Sequence, residues 1–497
     1  MNSLSEIIKL MDKSDKKEFI QYLNNRNKRS DTKNIQYFKL IESNDIINEK
    51  NWILKQNSMA SYHALRKRLY DNLIEFMSNK QFEKNTGTAS EALRFLVLSR
   101  YFFENDLDKT GFKYLTKAEK KAENLEQFNL LSEIYQMRLQ YVHLNPNENI
   151  ESLMDKLLEN QKQIQIEAKL NFGYALLRKE LQEIQQSQKV VDLRKLIYNT
   201  LKNLQLEYED FISYKSLYQI LFIANEFASL NHDFSLIAPF VSSSLNFIEN
   251  QKEKGKNHIF YRLNVFYFLA NIQFRNQKFS ACNLYLNEME RIMKMNNKTV
   301  SKSFFLLHQQ LKSLISHFLG DTESAQTILS NTLKKSSSKT EYKIYNTLLL
   351  IQIMYFTQLN NRLSIKYINK FQHSDSYYEK KLGMLWTIRK NLMEILIHTQ
   401  FENDDFALSR IGSFKRRYKK YLNDVNEQRV IDYVQMVERL IKNKDLLSNS
   451  DFRNDIQLKI NVNKPQDIFV TCFWGWLLSL IDKKIPYDST LELLQLE

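Results

Sequence analysis

"LISHFLGDTESAQTILSNTLKK", residues 314–335, carries the reading of the fold. An apolar-aromatic run ends at Phe318, a polar turn passes through Gly320 and Asp321, and a second amphipathic run begins around Ala325. Apolar residues three and four apart on both sides of a short polar turn predict two helices folded back on one another. "LANIQFRNQKFSACNLYLNEMERI", 269–292, has the same order, with Cys282 in the place of Ala325. "LSRYFFENDLDKTGFKYLTKAEKKA", 98–122, and "LIHTQFENDDFALSRIGSFKRRY", 396–418, are weaker copies.

One residue early in each second helix serves as an anchor. The anchors fall at Gly111, Ile150, Leu193, Ile237, Cys282, Ala325, Ser364 and Ala407, in steps of 39, 43, 44, 45, 43, 39 and 43. A near-constant step of this size is the mark of a repeat array, since one hairpin cannot bury its apolar face alone and stacked hairpins share a continuous core. "HFLGDTESAQTIL", 317–329, resembles the second half of a tetratricopeptide repeat: an aromatic, Gly, a polar turn, then Ala opening the second helix. Ala270 and Cys282 keep the 12-residue separation of the two small positions where that repeat's helices approach. The resemblance covers about 90–450 and implies a right-handed α-solenoid of about eight hairpins. The step exceeds the standard 34 residues, and the usual first-helix Trp and closing Pro are missing in most copies, so the pattern also fits an irregular solenoid of another helical-repeat type.

Composition points the same way. The 497 residues include 8 Gly and 4 Pro, where average usage gives roughly 35 and 25. Both residues interrupt helices, so their scarcity predicts an all-α protein with short polar connections. Apolar residues make up 43 %, with 32 Phe and 26 Tyr, enough for a packed core.

Residues 1–80 read as a small helical N-terminal module, with helices expected near 3–11, 14–25, 33–43 and 61–78 and Ser14 expected as an N-cap. In "SYHALRKRLYDNLIEFM", 61–77, positions 62, 65, 69, 73 and 76 form an apolar stripe, so packing is this helix's first task. "NNRNKRSDTKN", 24–34, reads as a basic linker, and "NKQFEKNTGTAS", 79–90, with Gly87, as the boundary to the repeats at 90–450. Residues 451–497 read as capping helices. Their "IFVTCFWGWLLSLI", 468–481, is the longest apolar run, at 14 residues short for a membrane span and expected to be a buried helix, with Pro465 before it. With two cysteines, Cys282 and Cys472, in apolar contexts and no signal-peptide pattern, the chain is expected to be soluble and cytoplasmic.

Little in the sequence suggests catalysis. The closest glycines are 24 apart, which excludes a glycine-rich phosphate loop. No HExxH, CxxC or EF-hand loop occurs, and neither cysteine has a histidine near it in sequence. His308 and His317, nine apart and on opposite sides of a helix, are expected at the surface or the core edge. Asp404 and Asp405 suit helix capping better than acid–base work. The chain is therefore expected to be no enzyme, with no cofactor and no metal.

Two surfaces remain. In tetratricopeptide proteins the concave face of the first helices binds peptides or helices, and the resemblance implies that role for Arg100, Tyr135, Arg178, Asn225, Asn271 and Arg275. Separately, the net charge is +14, and two basic stripes are interleaved with aromatics: Arg66, Lys67 and Tyr70, and Arg416, Arg417 and Lys420. Such stripes can follow phosphates, or can be the solvated side of packed helices. The leading expectation is a scaffold or adaptor binding a protein or peptide. The alternative is a nucleic-acid-binding regulator with a repeat-type sensor, although no Gly before residue 87 marks a helix-turn-helix turn.

Overall fold

The structure, a computed structural model, describes residues 3–11, 13–26, 32–43, 52, 59–84, 88–146, 148–187, 199–200, 202–203, 213–231, 244, 246–248, 258–295, 298–336, 342–424, 427–462 and 468–495. The fold is all-α: the described residues are helices and their connections, with no strand among them. Two compact units divide the chain, 1–153 and 154–497. The anchors Leu193 and Ile237, together with Gly87 and Pro465, lie outside the described residues.

The first unit opens with α1 (Ser3–Leu10), α2 (Lys13–Arg26), α3 (Thr32–Ser43) and α4 (Met59–Lys84), close to the four expected helices. The stripe read in 61–77 is buried at every position: Tyr62, Leu65, Leu69, Leu73 and Phe76 meet Leu4, Ile8, Phe19, Tyr37 and Phe38 in one core. Lys80, buried, pairs with Asp15 at 2.6 Å and with Glu18, tying α4 to α2. Ser14 is not an N-cap: α2 begins one residue earlier, and the Ser14 hydroxyl donates to Glu18 at 2.9 Å. The unit continues with α5 (Thr88–Glu104), α6 (Asp108–Asn124) and α7 (Phe128–Gln140).

The second unit begins within the first turn of α8 (Ile150–Ser187) and contains α9 (Tyr214–Asn231), α10 (Ile259–Arg275), α11 (Phe279–Met295), α12 (Lys298–Phe318) and α13 (Thr322–Lys335). After α14 (Tyr342–Gln358), α15 (Leu363–Ile368) and α16 (Asp375–Leu382) come α17 (Met384–Gln400), α18 (Asp404–Asp424), α19 (Gln428–Lys442) and α20 (Ser450–Val462). The chain closes with α21 (Ile468–Asp482) and α22 (Pro486–Gln495).

A single turn recurs between consecutive helices. Asp106, Glu126, Gln277, Gly320, Asn360, Glu402 and Lys483 all have φ between 50° and 101°. After each, the next amide donates back five residues, as in Leu107 to Phe102 at 2.9 Å, Lys278 to Gln273 at 2.8 Å, Asp321 to Ser316 at 2.9 Å and Asn403 to His398 at 2.8 Å. This is the Schellman closure, which satisfies a carbonyl left open at a helix end. It reverses the chain within about two residues and sets the second helix against the first.

That geometry explains the anchors. Gly111, Cys282, Ala325, Ser364 and Ala407 are all buried early in the second helix of a pair. A methyl group on Gly111 would lie 2.7 Å from the Phe103 ring, so this contact admits only a very small residue. The 12-residue separation has a chemical counterpart: the Ser99 hydroxyl donates to the Gly111 carbonyl, and the Ser313 hydroxyl to the Ala325 carbonyl, both at 2.8 Å. Ala270 and Cys282, both wholly buried, keep the spacing without a hydroxyl. Ile150 differs, being exposed at the start of α8.

Candidate functional site

In the second unit the first helices of successive pairs touch one another in series: α9 meets α10, α10 meets α12, α12 meets α14, α14 meets α17, and α17 meets α19. Polar rungs cross the seams. Gln219 donates to Asn171 at 3.0 Å, Asn271 to Asn225 at 2.9 Å, and Gln400 to the Thr357 carbonyl at 3.0 Å. Ser313 and Tyr355 share a bond of 3.0 Å, and His317 Nε2 donates to Gln358 Oε1 at 2.6 Å. These partners stand 48, 46, 43, 42 and 41 residues apart, near the step read from the anchors.

Across this series lie α21 and α22. The apolar run 468–481 is a buried helix, as expected, and no helix among the described residues is long and apolar enough to cross a membrane. Its contacts extend far back along the chain. The Phe469 ring lies 6.0 Å from that of Phe274 and carries the Arg275 guanidinium 4.4 Å above it. Trp476 Nε1 donates to Gln400 at 3.0 Å, Tyr487 donates to the His317 carbonyl, and Gln358 donates to Thr490 at 3.4 Å. Phe473 and Trp474 pack edge-on against Tyr433 of α19. A methyl group on Gly475 would come within 2.8 Å of the Thr490 Cα, so glycine there lets α22 close on α21.

The six residues expected on a binding face separate accordingly. Arg178, Asn225, Asn271 and Arg275 belong to the second unit. Asn225 and Asn271 are bonded, and Arg275 lies one turn beyond Asn271 on α10, under Phe469. Exposed Arg178 lies over the Tyr174 and Phe222 rings, 5.6 and 5.5 Å from their centroids. Arg100, exposed on α5, and Tyr135, buried on α7, belong to the first unit. Tyr135 packs beside Arg138, which pairs with Glu119 at 2.6 Å and Glu148 at 2.9 Å, and burial with nearby carboxylates pushes its phenol up. Sequence reasoning missed Gln358 and Gln400, whose bonds to Thr490 and Trp476 depend on where α22 and α21 dock.

The basic stripes fare differently. Arg417 is bound to Glu379 at 2.6 and 2.7 Å and to Ser376 at 2.7 Å, while Arg416 and Lys420 face solvent. Lys67 is exposed, and Arg66 and Tyr70 are half-buried. Among the described residues no group of three or more histidine, cysteine or acidic side chains is arranged to hold a metal. Cys282 and Cys472 are buried thiols, and burial pushes Cys282 up to about 12. His308 and His317 are also buried rather than at the surface or core edge, because α12 packs against α10, α11, α13 and α14 and so buries opposite sides.

Comparison with protein-family models, curated proteins and solved structures gives no match.

Proposed function

We propose that the second unit is a tetratricopeptide-like α-solenoid and that the protein is a non-enzymatic cytoplasmic scaffold binding a helical segment of another protein. The observation that supports this is the seating of α21: one face of the first helices already holds an aromatic helix through Arg275, Gln400 and Tyr433. A face that grips one amphipathic helix has the chemistry to grip another, since aromatic anchors and a few polar contacts suffice for helix-in-groove recognition. Beyond the Phe469 end of α21 come Asn271, Asn225 and Arg178, which we assign to the partner.

The test is capture of partners from native cells by the wild type and by an Arg178→Glu/Asn271→Asp variant, with helicity and melting compared first. A partner held by the wild type and lost by a folded variant is expected. A partner retained at full strength by the variant, or no reproducible partner, overturns the assignment.

A further inference from the structure

The α5–α6 hairpin of the first unit carries an exposed row of lysines. Lys113, Lys117 and Lys120 lie four and three residues apart and therefore on one face of α6. None of the three is ion-paired among the described residues. Like charges at these spacings repel and weaken a helix, so the row costs stability. Elsewhere exposed helical lysines are matched: Lys294 and Lys442 each meet a glutamate one turn back at 2.8 Å. The hairpin's own carboxylates are engaged or distant. Glu91 is held by Lys121, Glu119 by Arg138, and Glu123 accepts from Tyr135 at 3.5 Å, while Glu104, Asp106 and Asp108 lie at the turn.

Beside the row is an apolar surface. The Lys117 amine lies 4.9 Å from the Tyr114 ring centroid, Tyr114 lies 5.4 Å from Phe102, and Phe102 lies 5.8 Å from Tyr101. These contacts lead from the lysines onto a stripe of α5. Leu93, Val97 and Tyr101, spaced four apart, are 42 %, 53 % and 57 % exposed, and Leu98 is 39 % exposed. Large apolar side chains exposed this closely form a patch rather than scattered singles, and such patches mark interaction sites.

We propose that this patch docks the protein on an anionic lipid bilayer. The lysines face the headgroup phosphates, each attracted by the negative surface. Val97, Leu98 and Tyr101 enter the boundary between headgroups and acyl chains, where a tyrosine ring has an apolar body and a polar tip to match. The aliphatic residues decide the class of partner. A polyanion without apolar surface, whether nucleic acid or an acidic peptide, would satisfy the lysines but leave Leu93, Val97 and Leu98 in water.

The test mixes the purified full chain with phosphatidylcholine vesicles, alone or with about 30 % phosphatidylglycerol, at about 150 mM salt, and measures partition by cosedimentation. Binding to the anionic vesicles is expected, at least about tenfold tighter than to the neutral ones. Each lysine near such a surface contributes about fivefold, so Lys113→Gln/Lys117→Gln/Lys120→Gln should lose about a hundredfold. Arg416→Gln/Lys419→Gln/Lys420→Gln, which removes the same charge from exposed positions of α18, should lose about threefold at most. Val97→Gln/Tyr101→Gln should weaken binding by about tenfold through lost apolar burial. No partition onto anionic vesicles, equal partition onto both compositions, or equal losses in the two charge variants overturns the proposal. Retention on polyglutamate that the α6 variant loses, with no vesicle binding, also overturns it and assigns the row to an acidic protein. Should the α6 triple variant not fold, Lys113→Gln/Lys120→Gln, which leaves Lys117 over its rings, decides in its place with an expected loss of about 25-fold. No partner protein is present, so the outcome is independent of the scaffold reading.

Discussion

His317 shows what one buried titratable side chain does here. Its ring lies 4.0 Å from that of Tyr355 and donates to Gln358, with no carboxylate among the influences on its titration. Burial disfavours the imidazolium and lowers its pKa from 6.5 to about 4. The unfolded chain therefore binds a proton below pH 6.5 that the folded chain refuses. The stabilisation is fully present above pH 6.5 and is lost as pH falls towards about 4. Between pH 7 and pH 5 this one histidine should remove about 2 kcal/mol of stability. His308 and His398, also lowered by burial, act in the same direction. Urea unfolding at the two pH values should show the loss, and His317→Gln, though weaker at pH 7, should show a shallower dependence. An equally steep dependence in the variant would place the titration elsewhere. The histidine's environment was not legible in the sequence: opposition on a helix implies one wet side only where neighbours cover the other, and α12 is covered on both.

Helices were the legible elements; their turns were not. The stripe of 61–77 and the small anchors at 111, 282, 325 and 407 express local spacing, which survives without knowledge of tertiary contacts. The recurring left-handed turn residue is hidden because only Gly320 among the seven is glycine. At the others the chain accepts the left-handed conformation with Asp, Glu, Gln, Asn or Lys, at a cost of roughly 1–2 kcal/mol each. Two substitutions follow, read by chemical denaturation. Glu402→Gly should stabilise by roughly 0.5–1 kcal/mol, the relief of strain exceeding the extra backbone entropy glycine loses on folding, whereas Gly320→Ala should destabilise by about 1 kcal/mol. A loss in Glu402→Gly would mean that the side chain, rather than the turn, holds that position. The docking of α21 was beyond local reading for another reason. Its apolar run identified a buried helix, but its partners Phe274, Gln400 and Tyr433 lie 195, 76 and 40 residues away from Phe469, Trp476 and Phe473.

At the scale of the molecule the question is what a net charge of +14 is for. Nucleic-acid binding needs cations that are displayed together and available to phosphates, because each contact releases counterions and contributes to the salt dependence. The stripe at 416, 417 and 420 does not supply three. Arg417 is held by both oxygens of Glu379, and its neighbour Lys415 pairs with Glu438. Elsewhere Lys390, Arg410, Arg429 and Lys459 are likewise engaged by carboxylates. Many cations thus knit helices together, and the remainder are spread along the chain. Weak association with nucleic acid at low salt is expected from charge alone, and it should vanish near 150 mM salt. The measurement is a mobility-shift titration with duplex DNA for wild type, Lys67→Ala and Arg416→Ala/Lys420→Ala. If each lost cation had held a phosphate, the salt slope would fall by about 0.9 per contact. Unchanged slopes in both variants are expected. Tight wild-type binding that persists near 150 mM and collapses in either variant would instead establish a phosphate-reading surface, in the first unit if Lys67 is the sensitive residue and on α18 if the pair is.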